Sequence, residues 1–132
     1  MSRPLPRATA ETRPFWDGCT IGELRYQACE HCGTVQLIPR SLCAACHSSA
    51  LAWKLSAGGG RVLSHTTVHR APTPAFRADV PYVIALIDMD EGFRLMVNVE
   101  GGDSPAVDIG QRVRIGFRDV EGVALPHAEV CA

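Results

Sequence analysis

Cys29-Glu30-His31-Cys32-Gly33, followed by Cys43-Ala44-Ala45-Cys46, is the stretch that decides how this chain folds. The two C-x-x-C pairs are separated by ten residues. Each pair forms a tight turn that aims two sulfurs at one point, and a short hairpin sets the second turn opposite the first. Four thiolates then complete a tetrahedron around Zn²⁺. Gly33 suits the first turn, because the position after the second cysteine of such a knuckle favours a positive φ that a side chain resists. Four thiolates fill the coordination sphere and leave no open position for water or substrate, so the site is expected to be structural.

Iron accepts the same four sulfurs, as in rubredoxins. Those proteins usually repeat the glycine after the second knuckle, whereas Cys46 is followed by His47, and the spacing here is short. Zinc is therefore the expected ion. His31 and His47 flank the cysteines, but with four thiolates at hand they are expected beside the site and not in it.

Outward from the knuckles, Leu24–Ala28 alternates in strand fashion and Val35–Ile38 leads away from the first turn. Pro39-Arg40 turns the chain, and Leu51–Leu55 reads as the closing strand. This is a zinc ribbon, a unit with too little apolar surface to fold without its metal. Before it, Glu11–Gly18 reads as a short helix or turn carrying Phe15 and Trp16, and residues 1–10 are Pro- and Arg-rich and expected to be disordered. The two aromatics either pack on the ribbon or face a partner chain.

Gly58-Gly59-Gly60 marks an expected hinge, giving an N-terminal segment with zinc ribbon at 1–57 and a second unit at 58–132. That unit reads as all β: Arg61–Arg70, the apolar run Tyr82–Met89, a turn at Asp90-Glu91-Gly92, Phe93–Val99, a loop at 101–105, Gln111–Val120, and Val123–Leu125. Ala71–Pro81 is a proline-containing loop. Four or five strands with a long first one predict a small OB-type barrel. The fold class is thus mainly β: a short helix, a rubredoxin-like zinc ribbon and an OB barrel.

The chain has 132 residues, 46% hydrophobic and 20% charged, with a formal charge of −1. No apolar run reaches the length of a membrane span, so no membrane partner is expected. No apolar h-region follows Met1, and paired C-x-x-C cysteines without a signal are expected in the reducing cytoplasm. Residues 1–62 carry seven basic and four acidic groups; the remainder carries six and ten. An acidic barrel half does not suit a phosphate backbone.

Taken in order, Phe15-Trp16, Gly22-Glu23-Leu24, Cys29-x-x-Cys32-Gly33, Pro39-Arg40, Cys43-x-x-Cys46 and Trp53 form one series. Gly58-x-Gly60-x-Val62, Val68-His69-Arg70, Pro81-Tyr82, Glu91-Gly92-x-Arg94-Leu95 and Ile109-Gly110 form another. Together they resemble the zinc-ribbon OB-fold proteins associated with acyl-CoA metabolism, long filed as a domain of unknown function. Ala44, where proline is common, and His47, where glycine is common, depart from the pattern. The resemblance implies a non-catalytic accessory subunit. It would dock on a thiolase-fold enzyme of the lipid-transfer-protein type and help form or share its acyl-CoA site.

The residues themselves show no nucleotide-binding, Walker or serine-nucleophile fingerprint and no catalytic constellation. Cys19 reads as a small buried thiol and Cys131 as a terminal one; His127 with Cys131 supplies only two ligands for a second metal. His65 and His69 share a strand face and read as a half-exposed structural pair. Arg112, Arg114 and Arg118 project from one face of Gln111–Val120. Either they meet the phosphates of CoA, or they pair with nearby carboxylates on a solvated face. Phe76 is a candidate anchor against a partner or a pantetheine arm. The alternative function is a nucleic-acid-binding OB protein with a zinc ribbon. It needs stacking aromatics, and Phe93 and Phe117 lie on the apolar faces of their strands.

Overall fold

The computed structural model describes residues 5–78, 80–100 and 107–131. The loop expected at 101–105 and residues 1–4 of the N-terminal stretch lie outside the described residues.

Helix α1 spans Arg13–Thr20, with Pro14 in its first turn, where a missing N–H loses no helical bond. Thr9 and Thr12 bond reciprocally ahead of it, each backbone N–H donating to the other's Oγ1. Phe15 and Cys19, one turn apart, are the buried face of this helix. Gly18 lies between them because a Cβ there would come within 2.8 Å of the Arg25 side chain and the Glu23 carbonyl. The helix therefore lies directly against the start of the next strand.

β1 (Arg25–Cys29), β2 (Val35–Gln36) and β3 (Leu51–Leu55) form an antiparallel sheet in the order β2-β1-β3. The central strand is buried from Tyr26 to Cys29. β4 (Gly59–Val68), a 3₁₀ turn at Pro74–Phe76, β5 (Tyr82–Met89), β6 (Arg94–Glu100), β7 (Arg112–Val120) and β8 (Val123–Val130) follow. These five strands make a closed barrel in the order β4-β5-β6-β8-β7, with β7 returning to β4. All ladders are antiparallel except a short parallel one, Val99 beside Ala128 and Glu100 beside Glu129. A register shift between Val62 and Ser64 bends the long first strand from one side of the barrel to the other. Alternation sends Leu95, Val97, Val99, Val113 and Ile115 inward. The mainly β architecture, ribbon then OB barrel, is the expected one.

Two features differ from expectation. The last strand runs on through Val130, well past Leu125. Pro126 interrupts the sequence pattern, but at that point β8 has only β7 beside it, and a strand with one free edge tolerates proline. The glycine triplet is also not a free hinge. Gly59 and Gly60 are already paired with Arg114 and Val113, and Gly60 with Met89. A Cβ on Gly60 would come within 2.7 Å of Ile87 Cγ2, so the residue is glycine for close contact with the core.

Ribbon and barrel share one apolar core. Phe15, Cys19, Leu24 and Tyr26 belong to the same buried cluster as Val62, Ile87, Phe93 and Val113. The Tyr26 and Phe93 rings stack with centroids 4.7 Å apart. Glu91, in the β5–β6 turn, accepts hydrogen bonds from Ser56 Oγ at 2.8 Å and from the Ala57 N–H at 2.7 Å. The segment joining the two units is thereby clamped to the barrel.

Candidate metal centre and its surroundings

The two knuckles have the same backbone construction. The Cys29 N–H donates to Thr34 O and the Gly33 N–H returns to Cys29 O. In the second knuckle the Cys43 N–H donates to Ser48 O and the His47 N–H to Cys43 O. Gly33 has φ 79° and His47 has φ 63°. His47 thus takes up the left-handed conformation that glycine adopts freely, at a local strain of about 1–2 kcal/mol.

This pairing brings the four cysteine sulfurs within 4.8 Å of one another. Cys29 Sγ is 3.6 Å from Cys46 Sγ, and Cys32 Sγ is 3.6 Å from Cys43 Sγ. A ZnS₄ tetrahedron with bonds of about 2.3 Å has edges of about 3.8 Å, so the donor set fits the ion as it stands. Cys29, Cys32, Cys43 and Cys46 would hold the metal, whose chemistry there would be to bind four thiolates and fix two turns. His31 and His47 are exposed and outside the cluster. The Thr34 hydroxyl lies 3.1 Å from Cys32 Sγ, and hydrogen bonds from the Thr34 side chain and backbone draw that thiol's pKa down to about 6. That favours the thiolate at this one ligand, whereas Cys46, despite its hydrogen bond with the Ser48 backbone, is pushed up to about 12 by burial and the neighbouring sulfurs.

Gln27 supports the second knuckle in a way that sequence reading missed. Its buried amide accepts from Gln36 Nε2 and the Arg40 N–H and donates to Arg40 O. Gln36 Oε1 in turn accepts from the Ala44 N–H. A chain of amides so ties the central strand to the loop that carries Cys43. Glutamine in a strand gives no hint of this, since every partner lies at least eight residues away.

The remaining candidate residues are spread over the surface. Phe15 is buried and Trp16 half-buried, their rings edge to face at 4.9 Å. Both line a shallow apolar groove of about 150 Å³ with Leu37, Ile38 and Pro39. Phe76 is half-buried near Tyr82, ring centroids 6.2 Å apart. Arg112, Arg114 and Arg118 do project outward together, but two of them are engaged. Arg112 forks onto Asp90 at 2.7 and 2.9 Å, and Arg118 reaches Glu100 at 2.8 Å. Hydrogen bonds from Arg112 hold Asp90 below the usual carboxylate range. Asp90 therefore favours the folded state above its unfolded pKa, and that contribution is lost as pH falls through the lowered one. Of the three, Arg114 alone forms no ion pair among the described residues.

His65 and His69 are exposed. His127 and Cys131 do not assemble a second metal cluster among the described residues. Burial pushes the Cys19 thiol up to about 11, and it is almost wholly enclosed, while Cys131 is exposed. In the zinc-loaded protein, iodoacetamide is expected to alkylate Cys131 and to leave Cys19 unmodified until the chain unfolds. Mass mapping of the labelled peptides checks this, and rapid native labelling of Cys19 would contradict it.

Known proteins share this arrangement. The model of the ChsH2 rubredoxin-like zinc ribbon domain matches residues 16–52, and that of the ChsH2 C-terminal OB-fold domain matches residues 53–118. The chain is 33% identical over 104 residues to a DUF35 domain-containing scaffold protein of Methanocaldococcus jannaschii, covering 78% of this chain and 70% of that one. It is 35% identical over 114 residues to the 3-oxo-4,17-pregnadiene-20-carboxyl-CoA hydratase alpha subunit of Mycobacterium tuberculosis. That match covers 86% of this chain and 36% of the relative. The chain spans little more than a third of the length of the curated hydratase subunits it matches. Among solved structures, a chain of an Ltp2-ChsH2(DUF35) aldolase superposes with a TM-score of 0.84 at 28% identity, over 97% of this chain and 100% of that one.

Proposed function

Because this chain belongs to the ChsH2-type DUF35 family of zinc-ribbon and OB-fold proteins, we propose that it is a non-catalytic accessory subunit. It docks on a thiolase-like enzyme of the lipid-transfer-protein type and helps form that enzyme's acyl-CoA site. The observation that carries this is the likeness, over nearly the whole chain, to a chain of an Ltp2-ChsH2(DUF35) aldolase. Relatives named scaffold proteins point the same way. The hydratase subunits are more than twice as long, and their activity is not carried over to a chain matching 36–37% of them.

The site chemistry agrees. A four-thiolate centre offers substrate no coordination position, and no serine or cysteine side chain hydrogen-bonds to a histidine side chain among the described residues. The docking face is assigned to α1 and the segment after β2. There Trp16 borders the apolar groove, and Ile38 and Leu42 are 67% and 49% exposed. Apolar side chains so exposed beside a groove favour a protein partner. In the CoA-facing role Arg114 is preferred to Arg112 and Arg118, whose guanidinium groups already hold carboxylates. Stacking on nucleic acid is disfavoured, because Phe93 is buried and Phe117 half-buried against the core.

Co-expressed with the thiolase-fold protein encoded nearest to it, the chain is expected to co-elute as a stable complex. Ile38→Asp should weaken that complex at least tenfold, since a charge would be buried at the contact. A wild-type chain that elutes alone beside a folded thiolase-fold partner would overturn the assignment.

A further inference from the structure

We propose that the open edge of β4 pairs with the same edge of a second copy of this chain, joining two barrels into a two-fold dimer through Ser64–Val68. This interface lies away from the proposed docking face and does not rest on the accessory role.

β4 changes character halfway along. From Gly59 to Arg61 it is paired with β7. Val62 is still engaged on that side, its N–H donating to Gln111 O and its carbonyl accepting from the Gly110 N–H. From Ser64 to Val68 the strand pairs with β5 alone. An antiparallel neighbour takes the N–H and C=O of alternate residues, so those of the residues between point away from β5. They have no backbone partner among the described residues.

The burial of the strand changes at the same place. Leu63–Thr67 are five exposed residues in a row. His65 is paired with Ala85 and Thr67 with Val83, and both of those β5 residues are buried. Residues opposite one another share a face of the sheet. The exposure of His65 and Thr67 on the core-facing side therefore means that β4 runs out past the body of the barrel, with its edge and both faces open.

Such an edge is ordinarily blunted by charge, proline, a bulge or shortness. Ser64-His65-Thr66-Thr67-Val68 contains no Lys, Arg, Asp, Glu, Pro or Gly. The register shift in β4 falls before Ser64, and pairing with β5 is regular from there on. Thr66, Thr67 and Val68 are β-branched and suit an extended backbone. Where the edge opens, the bond from the Gly110 N–H to Val62 O sets Ile109 close to the level of Leu63. Ile109 is 71% and Leu63 36% exposed.

A second copy is the occupant because this stretch complements itself. A two-fold axis at Thr66 makes an antiparallel ladder in which Thr66 faces its own counterpart, His65 faces Thr67 and Ser64 faces Val68. Opposed threonines are a favourable cross-strand pair. The nearest charged residues along the chain are Arg61 and Arg70, which come opposite Ala71 and Val62, so like charges do not meet directly. Leu63 comes opposite His69 and is covered.

The full-length zinc protein, alone in solution, is expected to sediment as a dimer that dissociates on dilution. Thr66→Lys should weaken it about tenfold or more, because like charges then stand opposite each other at the axis. Thr66→Glu should do the same, and an equimolar mixture of the two variants should recover most of the lost affinity as a heterodimer. Thr66 is exposed, so both variants should keep the wild-type zinc content and Tm. Ile38→Asp, on the groove beside α1, should leave the dimer intact. If the Thr66 variants do not fold, amide exchange in the unaltered protein decides: the edge-facing amides of residues 64–68 should slow as concentration rises. Four results overturn the proposal. One is a wild-type chain that stays monomeric up to about 1 mM. Another is a dimer broken by Ile38→Asp and not by Thr66→Lys. The third is a mixture of variants no tighter than either alone. The last is a set of 64–68 amides protected only on adding a thiolase-fold protein, which would assign this edge to that interface instead.

Discussion

Cys43→Ser is expected to abolish stoichiometric zinc binding and to unfold the ribbon. Wild-type protein purified without added metal should contain about one zinc per chain. Cys43 is almost wholly buried, is oriented by its own N–H to Ser48 O, and stands 3.6 Å from Cys32 Sγ, as a built ligand position does. Structural zinc supplies on the order of 10 kcal/mol or more to domains of this size, far above what the short strands β1–β3 can gain by packing. Losing one ligand should exceed the 10–100-fold fall seen on losing a supporting contact. Elemental analysis and amide spectra of the two proteins together check this. A red, iron-loaded wild-type protein, or a metal-free one with its ribbon intact, would disprove structural zinc. Protons compete for the same thiolates, so zinc affinity should fall as pH falls, and the ribbon should open with it.

The parts of this molecule that could be read in advance are those whose cause is local. Two C-x-x-C pairs specify a metal because ligand spacing is a property of a few consecutive residues. Tyr82–Met89 was legible to the residue, since an apolar run bounded by Pro81 and by Asp90-Glu91-Gly92 has only one length. Alternation placed Arg112, Arg114 and Arg118 on the outer face, where they are. It could not say that Asp90 and Glu100 would be waiting there, 22 and 18 residues earlier in the chain, because that depends on which strands meet and in what register. Gly58-Gly59-Gly60 has the composition of a hinge, and only the approach of Ile87 explains why two of its residues are strand. Gln27 and His127 were illegible for the same reason. A polar side chain is buried when distant groups make room for it, here Arg40 and Gln36 for one and Gly116 for the other.

The shared core also constrains how the accessory role can work. A ribbon hung on a flexible linker could present its apolar groove in any direction. Here α1 and β1 are packed into the barrel's own cluster, and Glu91 holds residues 56 and 57 to the β5–β6 turn. The proposed docking face, the cysteine cluster and the barrel are therefore built on one packed core, and a partner seated on Trp16 and Ile38 would have the OB barrel in a defined position beside it.

Phe93 is the residue on which that rigidity most depends, and Phe93→Ala should be the most damaging single change in the core. Its ring is 3% exposed and stacks on Tyr26 at an interplanar angle of 23°, joining the barrel to the ribbon's central strand. Truncating a buried phenylalanine destabilises by about 3–5 kcal/mol, which for a domain of this size lowers Tm on the order of 10–20 °C. A second effect separates this site from an ordinary core position. In the wild type, ribbon and barrel should melt in one transition, and chelating the zinc should lower the melting of both. In Phe93→Ala the two should separate, leaving the barrel's transition nearly indifferent to chelator. The Tyr26→Ala and Phe93→Ala changes should also be non-additive by about 0.5–1.5 kcal/mol, the coupling of a stacked aromatic pair. Calorimetry of the four proteins of that cycle, with and without chelator, measures both. If the two changes simply add and the barrel of the wild type ignores zinc removal, the stack is only packing, and the single rigid body must be held by Glu91 and α1 instead.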